Sequence, residues 1–241
     1  MSNERGQGCR IHDTAVIGEG VVIGDRVTIG PGAVLVGPVE IEDDCWIGAH
    51  TVIGTPPEIL GFEHFTAYSE RSAGFGVLIE RGTVIRELTT VHQGSERPTI
   101  VGAHSFIMNR ISIEHDCQLG ACTIAAAGTA LAGHVTLGSG CNLGMNSTVH
   151  QRRVVGSGAM VGMGSVITKD IPPFATVFGN PAVLHGANSV GMSRKGHDDA
   201  EIDVVASAYA AARLPELAAL GEASSSAFTW WQQLSTKPLI G

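Results

Sequence analysis

Residues 101–167 read VGAHSF IMNRIS IEHDCQ LGACTI AAAGTA LAGHVT LGSGCN LGMNST VHQRRV VGSGAM VGMGSV I when they are divided into sixes. An aliphatic residue opens every group, glycine often follows it, and a small or β-branched residue usually stands four positions later. Chance does not maintain such a period over a stretch of this length. The chain therefore contains an internal hexapeptide repeat.

The same period extends toward the N-terminus, where aliphatic anchors recur from Ile17 to Ile53 and again from Ile79 to Val91. We expect each anchor to point inward from a short strand, and the small residue after it to leave room for the next wall. Three hexads would close one triangular coil, with coils stacked about 4.8 Å apart. The repeat predicts an all-β chain folded as a parallel β-helix of hexapeptide repeats.

Two segments interrupt the repeat, at residues 54–78 and 92–100. Counted back from Ile113 in threes, both leave the coil at the same corner, and loops that interrupt a repeat often carry its function. Beyond residue 185 the composition changes. A capping box at Asp198 and Glu201, followed by apolar residues at helical spacing as far as Ala212, predicts a helix that ends at Pro215, and a second helix is predicted over residues 228–234. We therefore divide the chain into a repeat domain, 1–185, and a small helical C-terminal region, 186–241.

The composition excludes several classes of protein. Glycine accounts for 32 of 241 residues, the apolar fraction is 44%, and the formal net charge of −8 disfavours nucleic acid or an anionic membrane as a partner. The five cysteines include no CxxC pair, and this pair is what a zinc ribbon or a thioredoxin would need. We find no signal peptide and no membrane span in the sequence, and expect a cytoplasmic protein.

A coil made of three hexads converts sequence spacing into geometry. His115, Gly133 and Gln151 follow one another at intervals of three hexads and should stack along one corner, with His134 and His150 at the adjoining offsets and both loops nearby. An imidazole followed by a carboxylate, as in His115-Asp116, is a usual general-base arrangement near neutral pH. Gly133 could offer its backbone N–H to a developing oxyanion.

Simpler interpretations exist for each of these residues. An exposed histidine at a solvated corner is usually only a surface residue, and Gly133 alone would indicate no more than a tight bend. Clustered histidines also suggest a metal site, but Cys45, Cys117 and Cys141 should point inward, and we predict no bound metal. Arg194-Lys195 is either a phosphate clamp or ordinary solvated charge.

Six segments, in order, resemble one family: the acyl-[acyl carrier protein]–UDP-N-acetylglucosamine O-acyltransferases of lipid A synthesis. The similarity runs from about residue 10 to the C-terminus. The segments are Ile113-Glu-His-Asp-Cys117, Leu131-Ala-Gly-His-Val135, Val149-His-Gln151, Asp170-Ile-Pro-Pro173, Gly179-Asn-Pro-Ala182 and Gly186-Ala-Asn-Ser-Val-Gly-Met-Ser-Arg-Lys-Gly196.

The resemblance implies a left-handed β-helix that forms a homotrimer with active sites between subunits. It also implies that His115 deprotonates the acceptor, that Asp116 orients His115, and that the Gly133 amide holds the thioester oxyanion. No metal or prosthetic cofactor is implied, because the donor carries its own phosphopantetheine. The substrate-binding positions that match the family are His92, Ser112, His134, His150, Gln151, Met163, Asn188, Arg194 and Lys195.

Several departures from the family concern the acceptor and the acyl chain. Ser112 stands where the family has a histidine, Val190 replaces an acidic residue, and Arg152 replaces an aromatic residue. The first loop reads PPEILGF over residues 56–62, where the family segment is polar. Met163 stands in place of glycine at the acyl-length ruler, which implies a short or medium acyl chain.

The leading hypothesis is acyl transfer from an acyl thioester, with acyl carrier protein as donor, to a hydroxyl or amine of a sugar-type acceptor such as a nucleotide sugar. Coenzyme A-dependent sugar acetylation is the enzymatic alternative, and a catalytically inactive β-helix scaffold is another. A zinc hydratase resembling γ-type carbonic anhydrase would need a histidine at Arg110. Docking of an acidic carrier would need basic residues, and those available are Arg152, Arg153, Lys169, Arg194 and Lys195.

Overall fold

Short parallel strands stack into three flat sheets that enclose the core of a triangular prism. The structure is a computed structural model that describes residues 4–64 and 73–240. Within those residues, the chain forms a left-handed parallel β-helix, with helices only near the C-terminus. The predicted fold class is confirmed. Part of the predicted loop 54–78 (residues 65–72) lies outside the described residues.

The coils contribute one parallel strand to each sheet in turn, and the second sheet ends with an added strand, Ala182–Ala187, which pairs antiparallel with Ala175–Gly179. The first sheet consists of Glu4–Arg5, Val21–Ile23, Val39–Ile41, Val77–Ile79, Thr99–Val101, Gln118–Leu119, Thr136–Leu137 and Val154–Val155. The second consists of Arg10–Ile11, Thr28–Ile29, Trp46–Ile47, Val84–Ile85, Phe106–Ile107, Ile124–Ala125, Asn142–Leu143, Met160–Val161, Ala175–Gly179 and Ala182–Ala187. The third consists of Val16–Ile17, Val34–Leu35, Val52–Thr55, Thr90–His92, Ser112–Ile113, Ala130–Leu131, Thr148–Val149 and Val166–Ile167.

The core is the column of hexad anchors. From Ile23 to Ile167 every predicted anchor is buried, and only Ile17, in the first coils, is partly exposed. Cys45, Cys117 and Cys141 point inward as predicted, and burial raises the pKa of the Cys141 thiol to about 12. Stacked coils bury a continuous aliphatic interior, which a single hexad cannot do alone.

The two loops lengthen the coil and keep the pairing of the anchors, with one register shift between Val91 and His92, where His92 pairs with Thr55. Val39 pairs with Val77, and Val77 pairs with Thr99, so each of these pairs is separated by three hexads plus an inserted loop. Later partners, such as Ser112 and Ala130, are separated by three hexads without an insertion. Both extra segments follow strands of the third sheet, Val52–Thr55 and Thr90–His92. The prediction that both loops leave the coil at the same corner is therefore confirmed.

The C-terminal region differs in detail from the prediction. The helices are α1 (Ser189–Arg194), α2 (Asp199–Ala210) and α3 (Glu222–Leu234), with a 3₁₀ turn at Leu217–Ala219. The Asp198 side chain caps α2 by accepting from the Glu201 N–H at 2.7 Å, as the capping box predicts.

Two helical predictions need correction. Helix α2 ends at Ala210 and does not continue to Pro215, because Ala212 has a φ of +51°. Helix α3 begins at Glu222 rather than at residue 228. Its first turn is rich in serine, which has a low helix propensity, but Ser224 is buried and its tertiary contacts stabilise the turn. Helix α1 was not predicted from the sequence, and the last strand of the second sheet is Ala182–Ala187.

Among the described residues, none of the helices combines the length and the apolar character needed to cross a membrane.

Candidate active site

The corner after the third sheet collects the predicted polar residues. We call residues 114–116, 132–134 and 150–152 the catalytic corner. Its coils are joined by backbone hydrogen bonds from the His134 N–H to the His115 carbonyl at 2.9 Å and from the Arg152 N–H to the Gly133 carbonyl at 3.0 Å. His115 and Gly133 therefore lie one coil apart, in the predicted stack.

His115 and Asp116 form a hydrogen-bonded pair. Nδ1 of His115 lies 2.7 Å from Oδ2 of Asp116, whose side chain is fully buried. Since an ionised carboxylate can only accept, Nδ1 carries the proton and Nε2 presents its lone pair. This is the arrangement that a general base requires.

The loop at 92–98 holds the Asp116 carboxylate in place. Oδ1 accepts hydrogen bonds from the N–H groups of Ser95, Glu96 and Arg97 at 2.8–3.0 Å, and Oδ2 accepts from the Ser95 hydroxyl at 2.7 Å. Burial favours the neutral acid, but these bonds, led by the one from Ser95, outweigh it and hold the pKa of Asp116 well below its usual range. Asp116 is therefore an anion near neutral pH.

Gly133 is adjacent to the His115 ring. A Cβ at position 133 would lie 2.5 Å from both Cε1 and Nε2 of His115, so a side chain there would displace the imidazole. The Gly133 N–H donates to none of the described residues. The absence of a side chain thus opens the space beside Nε2 and leaves a backbone donor one coil away.

His134 and Arg152 border the pair on the next offset. The His134 and His115 rings meet edge to face with centroids 5.1 Å apart, and Arg152 Nη2 lies 3.3 Å from His134 Nε2. Burial, reinforced by Arg152 against the opposing charge of Asp116, lowers the pKa of His134. His134 is therefore uncharged near neutral pH and packs against the base as a neutral ring.

A groove of about 500 Å³ opens from the catalytic corner across the third sheet. Besides His115 and Gly133, the predicted residues His150 and Gln151 line it, and Val166 and Thr168 lie among its other lining residues. Met163 lies on the preceding corner and its side chain is 74% exposed. His115 therefore lies at the corner on one side of the groove, and Met163 lies at the corner that precedes the third sheet.

A second polar group adjoins the base. The His92 ring is nearly buried, and its Nε2 lies 3.8 Å from Oε1 of Glu58 and 3.9 Å from Oε2 of Glu114. Ser112 donates its hydroxyl to Oε1 of Glu114. Neither glutamate was predicted from the sequence, although Glu114 directly precedes His115. Glu58 lies in a loop whose path the hexapeptide period does not predict.

These groups contain two sets of atoms whose spacing would suit a metal ion. They are His115, Asp116 and His134, and Glu58, His92 and Glu114, each with its ligand atoms within 4.8 Å of one another. In the first set, Asp116 is already saturated by loop donors, which leaves little capacity for an ion.

Asn188, Arg194 and Lys195 lie elsewhere on the chain. They line a groove of about 430 Å³ at the corner between the first and second sheets, beside Ser139 and Ser157. The Asn188 side chain accepts from Gly191 N–H at 3.1 Å and donates to the Gly158 carbonyl at 2.9 Å, which caps α1 and orients Arg194 and Lys195 at its end. Within one chain these three residues are not brought together with His115.

Arg153 is not available for docking. Its Nη1 lies 3.0 Å from Oδ1 of Asp170, and the two side chains are 12% and 0% exposed. The expectation that Arg153 belongs to a carrier-docking surface is therefore wrong, because a buried ion pair occupies it. Arg152, which directly precedes it, is exposed.

Family models match three parts of the chain. The model described as Udp N-acetylglucosamine O-acyltransferase, Domain 2, matches residues 170–222. The bacterial transferase hexapeptide model matches residues 6–37, and that for the hexapeptide repeat of succinyl-transferase matches residues 38–56 and 134–169.

Two curated relatives are described as acyl-[acyl-carrier-protein]–UDP-N-acetylglucosamine O-acyltransferase. The protein from Campylobacter concisus is 31% identical over 207 residues, which are 85% of this chain and 76% of the relative. The one from Thiobacillus denitrificans is 38% identical over 156 residues, 61% of this chain and 60% of the relative. That match thus spans less than two thirds of the relative's length.

Solved structures agree in fold. The UDP-N-acetylglucosamine acyltransferase from Campylobacter jejuni is 26% identical, with a TM-score of 0.86 over 99% of this chain and 94% of that chain. The Arabidopsis UDP-N-acetylglucosamine acyltransferase is 29% identical, with a TM-score of 0.65 over 84% of this chain and 80% of that chain.

Proposed function

The chain belongs to the acyl-[acyl-carrier-protein]–UDP-N-acetylglucosamine O-acyltransferase family, and from this premise we propose that it transfers an acyl group from an acyl thioester to a sugar-bearing acceptor. The observation that carries the proposal is the His115–Asp116 pair, with the open Gly133 backbone beside Nε2. Acyl carrier protein is the proposed donor and a nucleotide sugar the proposed acceptor, both named in the relatives' description.

The proposed reaction begins when Nε2 of His115 removes a proton from the acceptor hydroxyl or amine. The acceptor atom attacks the thioester carbonyl carbon, and the Gly133 N–H stabilises the oxyanion that forms. The C–S bond then breaks, and the imidazolium returns its proton to the departing thiolate. Asp116 stabilises the imidazolium while it exists. The proposed reaction uses no resident metal or prosthetic group.

We propose a homotrimer, because the two halves of the site lie on different corners of one chain. Arg194 and Lys195 would hold the phosphates of a nucleotide acceptor, yet their groove is distinct from the groove of His115. If each chain turns its Arg194 corner toward the catalytic corner of a neighbour, both grooves face one substrate. A rotation that closes after three chains would make three equal sites.

Met163 sets the proposed acyl length. Its exposed side chain on the corner beside the groove would shorten a channel formed there, so short or medium chains should be preferred. The experiment uses a chain-length series on carrier protein and on coenzyme A, with UDP-N-acetylglucosamine and other sugar acceptors, and reads products by intact mass.

Wild type should transfer acyl groups, and His115→Ala should lose about 100-fold or more in rate. His12→Ala, which removes an exposed imidazole in the first coils, is the matched control and should behave as wild type. Transfer that survives His115→Ala would contradict the proposed base. A wild-type protein that neither transfers nor hydrolyses any thioester would indicate an inactive scaffold.

A further inference from the structure

Three hydrogen-bond acceptors that receive no hydrogen bond from the described residues face one another beside His115. They are Oε1 of Glu58, Nε2 of His92 and Oε2 of Glu114, and all lie within 4.8 Å of one another. The Glu114 oxygen is buried and has no hydrogen-bond partner among the described residues. Buried carboxylate oxygens of this kind are costly unless a donor or a cation meets them.

The protonation of His92 follows from its other contact. Its Nδ1 lies 3.1 Å from the Pro56 carbonyl, which can only accept, and 3.4 Å from the Thr55 hydroxyl, which can accept as well as donate; the shorter contact assigns the proton to Nδ1. In the neutral ring, Nε2 then carries a lone pair and can only accept a hydrogen bond. At 3.8 and 3.9 Å it is also too far from either carboxylate for a hydrogen bond, so the three groups do not satisfy one another.

Glu114 has no freedom to turn away from this space. Its other oxygen accepts from the Ser112 hydroxyl, and only 19% of the side chain is exposed. Glu58 and Glu114 both line the groove that holds His115 and Gly133. The unmet oxygen therefore belongs to the space where the acceptor of the proposed reaction must lie.

We infer that the acceptor carries a primary amine, that Glu114, Glu58 and His92 hold this group as an ammonium, and that it is the group acylated. This inference rests on the proposed function. An ammonium has three N–H donors for three acceptors and also neutralises the two carboxylates, whereas a hydroxyl offers one donor and no charge. The substrate class is thus an amino-substituted sugar nucleotide, and the product is an amide.

The reaction balances as follows. The bound ammonium gives one proton to solvent through Glu114, and the free amine attacks the thioester carbonyl carbon. The nitrogen gives a second proton to Nε2 of His115, and the C–S bond breaks. His115 then protonates the thiolate. One amide, one free thiol and one solvent proton result, and nothing is oxidised or reduced.

The test compares UDP-N-acetylglucosamine with analogues in which one sugar hydroxyl at a time is replaced by an amine. Wild type should acylate one amino analogue at least about 10-fold more efficiently than the parent, because a charge-assisted contact is lost in the hydroxyl compound. The product should resist hydroxylamine, which cleaves esters. Equal or better use of the parent would overturn the inference.

Glu114→Gln keeps the shape of the side chain and removes its charge. It should raise KM for the amino analogue about 10- to 100-fold and leave KM for the parent nearly unchanged. Glu222→Gln, at the exposed start of α3, is the control and should alter neither value. An unchanged preference in Glu114→Gln would refute the role of this residue.

Two further measurements keep the inference independent of turnover. Calorimetric binding of the amino analogue to wild type should weaken by the same factor in Glu114→Gln, and no difference would count against it even if no acyl transfer occurs. Zinc retained stoichiometrically by wild type and lost in Glu114→Gln would instead make the cluster a metal site. Failure of the proposed function is a separate result: no thioester is consumed, and His115→Ala changes nothing.

Discussion

At the residue scale, His115 is constrained from two sides. Asp116 fixes Nδ1 by a 2.7 Å hydrogen bond, and Gly133 leaves open the space at Nε2 that any side chain would fill. Asp116 is itself fixed by donors of the 92–98 loop, so the orientation of the base depends on a segment outside the repeat. Packing, not the hexad alone, therefore gives His115 the fixed orientation that the proposed general base needs.

Gly133→Ala should slow acyl transfer strongly without unfolding the protein. The backbone at Gly133 is not in the left-handed region, so alanine is tolerated, but its Cβ would lie 2.5 Å from the His115 ring and push it from its place. We expect the rate of acyl transfer to fall about 100-fold, as for a misplaced reacting group. Activity assays and circular dichroism melts check this, and wild-type activity in the variant would show that His115 needs no such space.

At the element scale, two buried carboxylates anchor irregular segments to the regular coil. Asp116 holds the loop through residues 95–97, and Asp170 holds the C-terminus by accepting from the Ser235 hydroxyl and from the N–H groups of Thr236 and Lys237. Arg153 supplies the counter-charge to Asp170. The tail is thus tied to the last coils by one carboxylate as well as by apolar packing.

Arg153→Ala should destabilise the fold far more than Arg152→Ala. Removing Arg153 leaves the Asp170 carboxylate buried without its cation, which should lower the free energy of unfolding by about 3 kcal/mol. Arg152 is exposed and its guanidinium contacts His134, so its removal should cost less than about 1 kcal/mol. Urea denaturation of both variants measures the difference, and equal losses would contradict the assigned ion pair.

At the scale of the whole molecule, the prism separates chemistry along its edges. The catalytic corner follows the third sheet, whereas the groove of Arg194 and Lys195 follows the first, and a sheet lies between the two grooves. One chain cannot fold these corners onto each other, because the stacked coils form a rigid column. A shared site therefore requires a second chain.

Mixing two inactive variants tests the shared site. His115→Ala and Arg194→Ala are each expected to be inactive, but coexpression at equal amounts should restore about one quarter of wild-type activity, since a quarter of the interfaces pair two intact halves. Light scattering should give a mass near three times 25.0 kDa. No recovery from a mixed assembly would mean that each site lies within a single chain.

Sequence reasoning reached far into this structure because the repeat turns position into geometry. The inward anchors, the corner of both loops, and the stacking of His115, Gly133 and Gln151 follow from the period, and the structure contains all three. The roles assigned to the site residues stay predictions. The start of α3 and the role of Arg153 were misjudged, since each depends on contacts between segments far apart in the chain.

What the sequence determined by itself is therefore the part that repeats: the prism, its inward column and the edge that carries His115 and Asp116. Only the tertiary structure decided the parts that do not repeat. It brought the loop donors to the Asp116 carboxylate and placed Glu58 and His92 beside Glu114. It also placed Arg194 at another edge of the prism. The physical reason is that a period fixes neighbours one coil away, whereas loops and tails find theirs by packing.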